Sequence, residues 1–200
     1  MKRVFTVFLT TILIAILAIS LVGCAPEEGE ALAIAKDLIY RSIELNEIFF
    51  CKKGIAYKET GNSNDIYMPV LETEKYILKS KLVEATRSVF SYSYADSIIS
   101  MAFNGVQSEI NQNSVQSRFM VMGEDDMLYV NKNYEYVVEN CTEYDYDTIK
   151  ITYISGSFIE ATIKGVRTSE KDGELVKETV TVEVTIINES DGWRLNSATY

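Results

Sequence analysis

The sequence predicts an α+β fold in which N-terminal helices, one of them long, pack on a curved antiparallel β-sheet. Two observations support this prediction. Before about residue 105 the apolar residues recur at helical spacing, whereas from Arg118 onward they alternate with polar residues, as in strands with one buried face. Residues 30–200 are also of ordinary size for one domain. We therefore predict a single domain over this range.

A long amphipathic helix is predicted from Glu30 to Cys51. Its polar residues occupy the other faces, and its apolar stripe contains Ile34, Leu38, Leu45 and Phe49. Lys52-Lys53-Gly54 is expected to end the helix, because basic residues suit the negative end of its dipole and glycine accepts the left-handed cap.

Shorter elements fill the rest of the N-terminal half. Each is inferred from local spacing and turn residues, and the expected elements are an extended piece at Ile66–Val70, helices at Glu74–Phe90 and from Ser91 or Ser93 to Phe103, and a polar loop at Gln107–Gln116.

An antiparallel meander is predicted for the remainder of the chain. Its strands are expected at Phe119–Met122, Met127–Val130, up to about Cys141, Ile149–Ile154, Phe158–Arg167, Val176–Ile187 and Trp193–Tyr200. In the longest, Val182, Val184 and Ile186 alternate with polar residues, which indicates one buried and one wet face. The first helix should lie across the buried face.

The N-terminus carries a targeting pattern. Lys2 and Arg3 precede an uncharged apolar run, and Leu21-Val-Gly-Cys24 follows it. This segment resembles a bacterial lipoprotein signal, which implies cleavage before Cys24 and lipidation of that thiol. We expect a signal peptide at 1–23, a short tether at 24–29, and a domain anchored by lipid on the extracytoplasmic face of the bacterial cell membrane. The alternative, an uncleaved transmembrane anchor, also leaves the domain outside the cytoplasm.

The composition excludes several functions. The chain has no histidine, which rules out Ser-His-Asp and Cys-His catalysis and imidazole zinc sites. Its net charge of −10 makes nucleic acid an unsuitable partner and favours a cationic one. Cys51 and Cys141 are candidates for a disulfide, with two buried free thiols as the alternative. We expect no cofactor and no enzymatic activity.

Two acidic clusters are candidate Ca²⁺ sites, namely Glu124-Asp125-Asp126 and the set Glu143, Asp145 and Asp147. A pair of carboxylates could also hydrolyse glycosides. Neither cluster has the glycine-punctuated loop of a strong calcium motif, and paired carboxylates occur in almost any acidic chain. Solvated turn or edge acids are the preferred interpretation, so no metal or catalytic residue is predicted.

Tyrosines interleaved with acids suggest a protein interface, because tyrosine supplies contact area at low entropic cost. The alternative is that tyrosine fills half-buried strand positions. The residues of this predicted surface are Tyr134, Glu135, Tyr136, Tyr144, Asp145, Tyr146 and Asp147.

Three segments resemble known families. The element order and the closing Asp191-Gly-Trp-Arg-Leu-Asn-Ser197 resemble cystatin-like and NTF2-like folds. Phe90–Ala95 and Met127–Asn131 look like segments of the IseA-like family of DL-endopeptidase inhibitors. That resemblance implies an exported protein that binds peptidoglycan hydrolases of the NlpC/P60 type and covers their catalytic cleft.

The leading hypothesis is therefore a non-enzymatic membrane-anchored lipoprotein that binds, and inhibits, a cell-wall hydrolase. The alternative is a small-molecule or peptide-binding NTF2-like lipoprotein, with the ligand in the cone between helix and sheet. A cone filled by Phe49, Phe50 and Trp193 would count against that alternative. An enzyme acting through carboxylates is the third hypothesis. The oligomeric state is left open.

Overall fold

The computed structural model describes residues 25–51, 54–62, 65–107, 115–134, 142–171 and 174–200. The predicted α+β class is confirmed there, and the arrangement is consistent with a cystatin-like or NTF2-like fold. The helices are α1 (Glu28–Phe49), α2 (Lys79–Val89) and α3 (Tyr92–Asn104). The strands are β1 (Tyr67–Pro69), β2 (Val106–Gln107), β3 (Val115–Gln116), β4 (Phe119–Val121), β5 (Leu128–Asn131), β6 (Glu143–Ile154), β7 (Phe158–Lys171), β8 (Glu174–Glu189) and β9 (Gly192–Leu195).

The strands form three antiparallel sheets rather than one meander. A four-stranded sheet has the order β6-β7-β8-β9, a three-stranded sheet has the order β1-β5-β4, and β2 pairs with β3. The prediction of a single meander was wrong because the β4–β5 hairpin recruits β1 to its free edge, with Met68 opposite Val130. The strand expected to end near Cys141 lies outside the described residues.

Two helix starts differ from the predictions. α1 begins at Glu28, inside the predicted tether, with Glu28 and Glu30 in its first turn, where carboxylates suit the helix dipole. α2 begins at Lys79 rather than Glu74, because Asp126 supplies its N-terminal acceptors. The backbone N–H of Lys79 donates to the Asp126 carbonyl at 3.0 Å, and that of Ser80 donates to Asp126 Oδ2 at 2.9 Å.

The last strand and the polar loop also differ from the predictions. β9 ends at Leu195 rather than Tyr200, since the tail turns into the interior. In the expected loop at Gln107–Gln116, both ends form the short β2–β3 pair, and residues 108–114 lie outside the described part.

α1 packs on the inner face of the four-stranded sheet and closes the core. Leu38, Ile39 and Leu45 on the helix are buried, as are Ile159 and Ile163 on the strands. The predicted alternation along β8 is confirmed where it crosses this core, since the inward side chains are buried and their neighbours exposed. The buried ones are Val184 and Ile186, and the exposed ones are Thr181 and Glu183.

A buried polar network ties the C-terminal tail to α1. Thr199 Oγ1 lies 2.8 Å from both Ser42 Oγ and Asn46 Nδ2, and the Thr199 carbonyl accepts hydrogen bonds from Asn46 and from the Tyr144 hydroxyl. Tyr200 then stacks on Phe50 with ring centroids 4.1 Å apart. The tail therefore crosses the inner face of the sheet instead of continuing along its edge.

Within the described part of the chain, no helix is long and apolar enough to cross a bilayer. The predicted signal peptide at 1–23 and Cys24 lie outside the described residues.

Candidate functional site

An open cleft of about 770 Å³ lies between α1 and α2. Its floor is apolar and includes the buried Leu45 and Val89, one from each helix. Its walls carry charged side chains of both signs together with Tyr40, which is 67 % exposed. An apolar floor with polar walls is the usual design of a binding site.

One wall of the cleft is a three-residue cluster around Glu44. Glu44 Oε2 accepts hydrogen bonds from Lys75 Nζ at 2.6 Å and from the Tyr76 hydroxyl at 2.9 Å. Lys75 Nζ also lies 4.7 Å from the centre of the Tyr76 ring. The bond to Glu44 raises the pKa of Lys75, and burial raises the pKa of Tyr76. At neutral pH the lysine is therefore charged and the tyrosine neutral, so neither is prepared to act as a general base.

The opposite wall is formed by α2, to which Arg41 of α1 is hydrogen-bonded. Arg41 donates to the carbonyl of Ser88 at 3.1 Å, to its hydroxyl at 3.0 Å and to Asp37 at 3.2 Å. Further along α2, Lys81 pairs with Glu84 at 3.0 Å. Each of these charges has a partner within the molecule, so the cleft offers a surface of mixed charge to a ligand.

The acidic clusters considered from the sequence have structural contacts. Asp126 caps α2, and its hydrogen bonds with Ser80 lower the pKa of that carboxyl. Asp145 Oδ1 accepts the N–H of Asp147, and the Asp145 carbonyl accepts from Thr148 at the irregular part of β6. Among the residues that the structure describes, no group of three or more acidic or cysteine side chains could hold a metal ion.

The structure divides the predicted tyrosine surface. Tyr144 and Tyr146 are half-buried and pack towards α1, whereas Asp145 and Asp147 point to solvent. Burial raises the pKa of Tyr144 to about 12. Alternation along β6 explains the division, because neighbouring strand residues face opposite sides. On β6 the exposed part of the predicted surface therefore reduces to its carboxylates.

Tyr134 belongs to the same predicted surface but does not lie on β6. Tyr134 is half-buried, with the guanidinium of Arg118 5.4 Å from its ring centre, and burial raises its pKa. Glu135 and Tyr136 lie outside the described residues.

Arg118 is a residue whose role sequence reasoning missed. Its side chain is among the largest that are fully buried, and its guanidinium donates to the carbonyls of Phe49 at 3.2 Å and of Cys51 at 3.1 Å. It thereby satisfies carbonyls at the end of α1, where backbone acceptors lack helical partners. No sequence signal identified it, because arginine before a strand is ordinarily exposed.

Cys51 is buried and disulfide-bonded. Both other cysteines of the chain, Cys24 and Cys141, lie outside the described residues. The pairing of Cys51 with Cys141 therefore stays a prediction.

Among the described residues, side chains fill the part of the predicted interior ligand site around Phe49, Phe50 and Trp193. Phe49 and Phe50 are buried, Trp193 packs against the core, and the space bounded by Phe49, Phe50 and Tyr134 is only about 10 Å³. This volume is about that of one water probe. The part of the cone around these residues has no room for a ligand.

No family model and no curated protein matches this chain.

Proposed function

We propose that this protein is a lipid-anchored envelope lipoprotein that binds a protein partner without chemistry of its own, and that the partner is a peptidoglycan hydrolase of the NlpC/P60 type. The anchor follows from the lipoprotein-like N-terminus, and the partner class follows from the resemblance to IseA-like inhibitors. The cleft between α1 and α2 is the proposed contact surface.

The observation that carries the proposal is the open cleft beside an interior that is filled at Phe49 and Phe50. Its lining includes Tyr40, a large aromatic side chain held at the rim with its ring 6.2 Å from that of Tyr146. Exposed tyrosines beside paired charges are typical of the residues that dominate binding energy in protein interfaces. A protruding segment of a partner with charges of both signs would match the paired walls.

The test is inhibition of wall hydrolysis by the full-length lipoprotein in detergent. A muropeptide-release assay with an NlpC/P60 enzyme should show lower activity when the protein is in excess, and Tyr40→Ala should weaken inhibition at least tenfold. Tyr153→Ala is the matched control, because Tyr153 is also more than half exposed, its ring lies 6.1 Å from Phe158, and it does not line the cleft. Absence of inhibition by the wild-type protein at excess would refute the proposal.

A second candidate is binding of a short free peptide in the same cleft, which is favoured by its volume of about 770 Å³. Peptide-sized ligands occupy sites of this size. Titrating the lipoprotein with purified muropeptides, in the absence of any hydrolase, separates the two functions. Saturable binding that Tyr40→Ala weakens would support the peptide, and no binding alongside hydrolase inhibition would leave the protein partner.

A further inference from the structure

Among the described residues, no partner strand covers most of the outer edge of β8. β7 covers the other edge without interruption, from Phe158 opposite Ile187 to Lys171 opposite Glu174. β9 covers only the last part of β8, from Ile186 to Glu189. Among the described residues no hydrogen bond reaches the outer edge of β8 before Thr185.

The chain beyond β9 explains why this edge is bare. The backbone N–H of Asn196 donates to the Thr185 carbonyl at 2.8 Å, and Ser197 Oγ accepts the Thr185 N–H at 3.0 Å. The tail then leaves the edge and reaches Ser42 and Asn46 on α1 through Thr199. No described segment of the chain therefore pairs with the strand edge from Glu174 to Val184.

The bonds at Thr185 also show which backbone groups this edge presents. Both polar groups of Thr185 point outward, and strand geometry repeats every two residues. The outward N–H and C=O groups therefore belong to Lys177, Thr179, Thr181 and Glu183. These side chains are exposed, and the strand has no bulge or proline to interrupt pairing. A long regular edge of this kind is a template for another strand.

We propose that a second copy of this chain pairs with this edge, so that two β8 strands lie antiparallel about a two-fold axis at Val180. The charged side chains along this edge favour a second copy of the chain as the partner, and they favour this register. In this register Lys177 of each copy lies opposite Glu183 of the other, and neither side chain forms an ion pair within the molecule among the described residues. Opposite charges across an antiparallel pair stabilise it, and like charges destabilise it.

Neighbouring registers lack this match. An axis at Lys177 or Glu178 brings like charges directly together. An axis at Thr179 or Thr181 places Lys177 opposite a threonine. With the axis at Val180, all outward backbone groups from Lys177 to Glu183 find partners, and Thr179 faces Thr181. Such a two-fold contact is isologous and closes at a dimer.

Cysteine cross-linking of the full-length protein in membranes tests the register. Residues that face each other across the axis have Cβ atoms about 4.5–5.5 Å apart, within reach of a disulfide after small adjustment. Val180→Cys should therefore form a covalent dimer under mild oxidation. Val176→Cys is the matched control on the same strand face, because its two copies would be about 27 Å apart in this register. A Val176→Cys cross-link equal to that of Val180→Cys would overturn the register.

Charge reversal tests the partner. Lys177→Glu should abolish the Val180→Cys cross-link, and adding Glu183→Lys should restore it. Lys150→Glu, on the exposed face of β6, should leave it unchanged. The proposal would be overturned if Val180→Cys, with Lys177 and Glu183 unchanged, forms no cross-link between two copies of the chain. It would also be overturned if Val180→Cys cross-links only to a different protein. Hydrolase inhibition is measured in a separate assay, so a failure to cross-link would not contradict the proposed role of the cleft.

Discussion

Replacing Arg118 with methionine is expected to destabilise the domain by about 2–6 kcal/mol, from two buried carbonyls left without this donor. The guanidinium is 1 % exposed and donates to the carbonyls of Phe49 and Cys51 at the end of α1. Methionine fills much of the volume but donates nothing, so two buried carbonyl oxygens lose their donor, at about 1–3 kcal/mol each. A domain with a total stability of about 5–15 kcal/mol would lose a large share of it.

Urea unfolding at neutral pH, with the disulfide kept oxidised and tyrosine fluorescence as the signal, measures this loss. Arg41→Met is the matched control, because the Arg41 side chain is 41 % exposed and its bonds lie at the surface. That variant should stay within about 0.5 kcal/mol of the wild type. A loss below about 1 kcal/mol for Arg118→Met, or an equal loss for both variants, would refute the assigned role.

Three further predictions concern pH and backbone packing. Hydrogen bonds hold the pKa of Asp126 below 3.8. Its contribution to stability is therefore present above about pH 4 and is lost as the pH falls through the folded pKa. Asp126→Asn should reduce the change of melting temperature with pH between about pH 5 and 2. Burial raises the pKa of Tyr144 from 10.0 to about 12, so its contribution is present below pH 10 and lost as pH rises towards 12. Tyr144→Phe should lower stability at pH 7 by about 1 kcal/mol, through the lost bond to Thr199, yet reduce the alkaline loss in a pH titration of unfolding. Gly165→Ala would place a Cβ 2.8 Å from a backbone oxygen of β6 and should cost about 1–3 kcal/mol in urea unfolding, whereas Gly29→Ala, with nothing within 4 Å, should not destabilise.

The elements with strong local periodicity were predictable. The apolar stripe predicts α1, and the alternation that ends at Ile186 predicts β8, because both patterns follow directly from helix and strand geometry. The prediction weakened wherever a distant residue decides the local structure. β1 joins β5 across the sequence, and the start of α2 is fixed by Asp126, which lies 46 residues away from Ser80.

The candidate cleft was not predictable for the same reason. Glu44 and Lys75 are 31 residues apart in the chain, and nothing in the local pattern of either marks them as partners. The tyrosine surface illustrates the opposite error. Its composition suggested an interface, but strand alternation turns Tyr144 and Tyr146 inward, so residue type alone did not determine which side chains a partner can reach.

The partner of Cys51 in its disulfide determines whether the Cys24 thiol is free to carry a lipid. A thiol that forms a disulfide cannot also carry a lipid, so the prediction for Cys24 requires that Cys51 pair with Cys141. The 22 residues of α1 hold their ends about 32 Å apart. Cys24 stands four residues before this helix and Cys51 two residues after it, and even fully extended chain at both ends leaves about 10 Å between them. Bridged cysteines have Cα atoms within about 7 Å of each other.

A chain of contacts links the neighbours of Cys51 and Cys141. Phe50, beside Cys51, stacks on Tyr200, whose carbonyl accepts a hydrogen bond from Arg167 at 2.8 Å, and Arg167 also contacts Thr142, beside Cys141. Peptide mapping without reduction should therefore recover Cys51 joined to Cys141, with Cys24 in a lipid-modified N-terminal peptide. A peptide joining Cys51 to Cys24 within one chain would contradict both the length of α1 and the anchor.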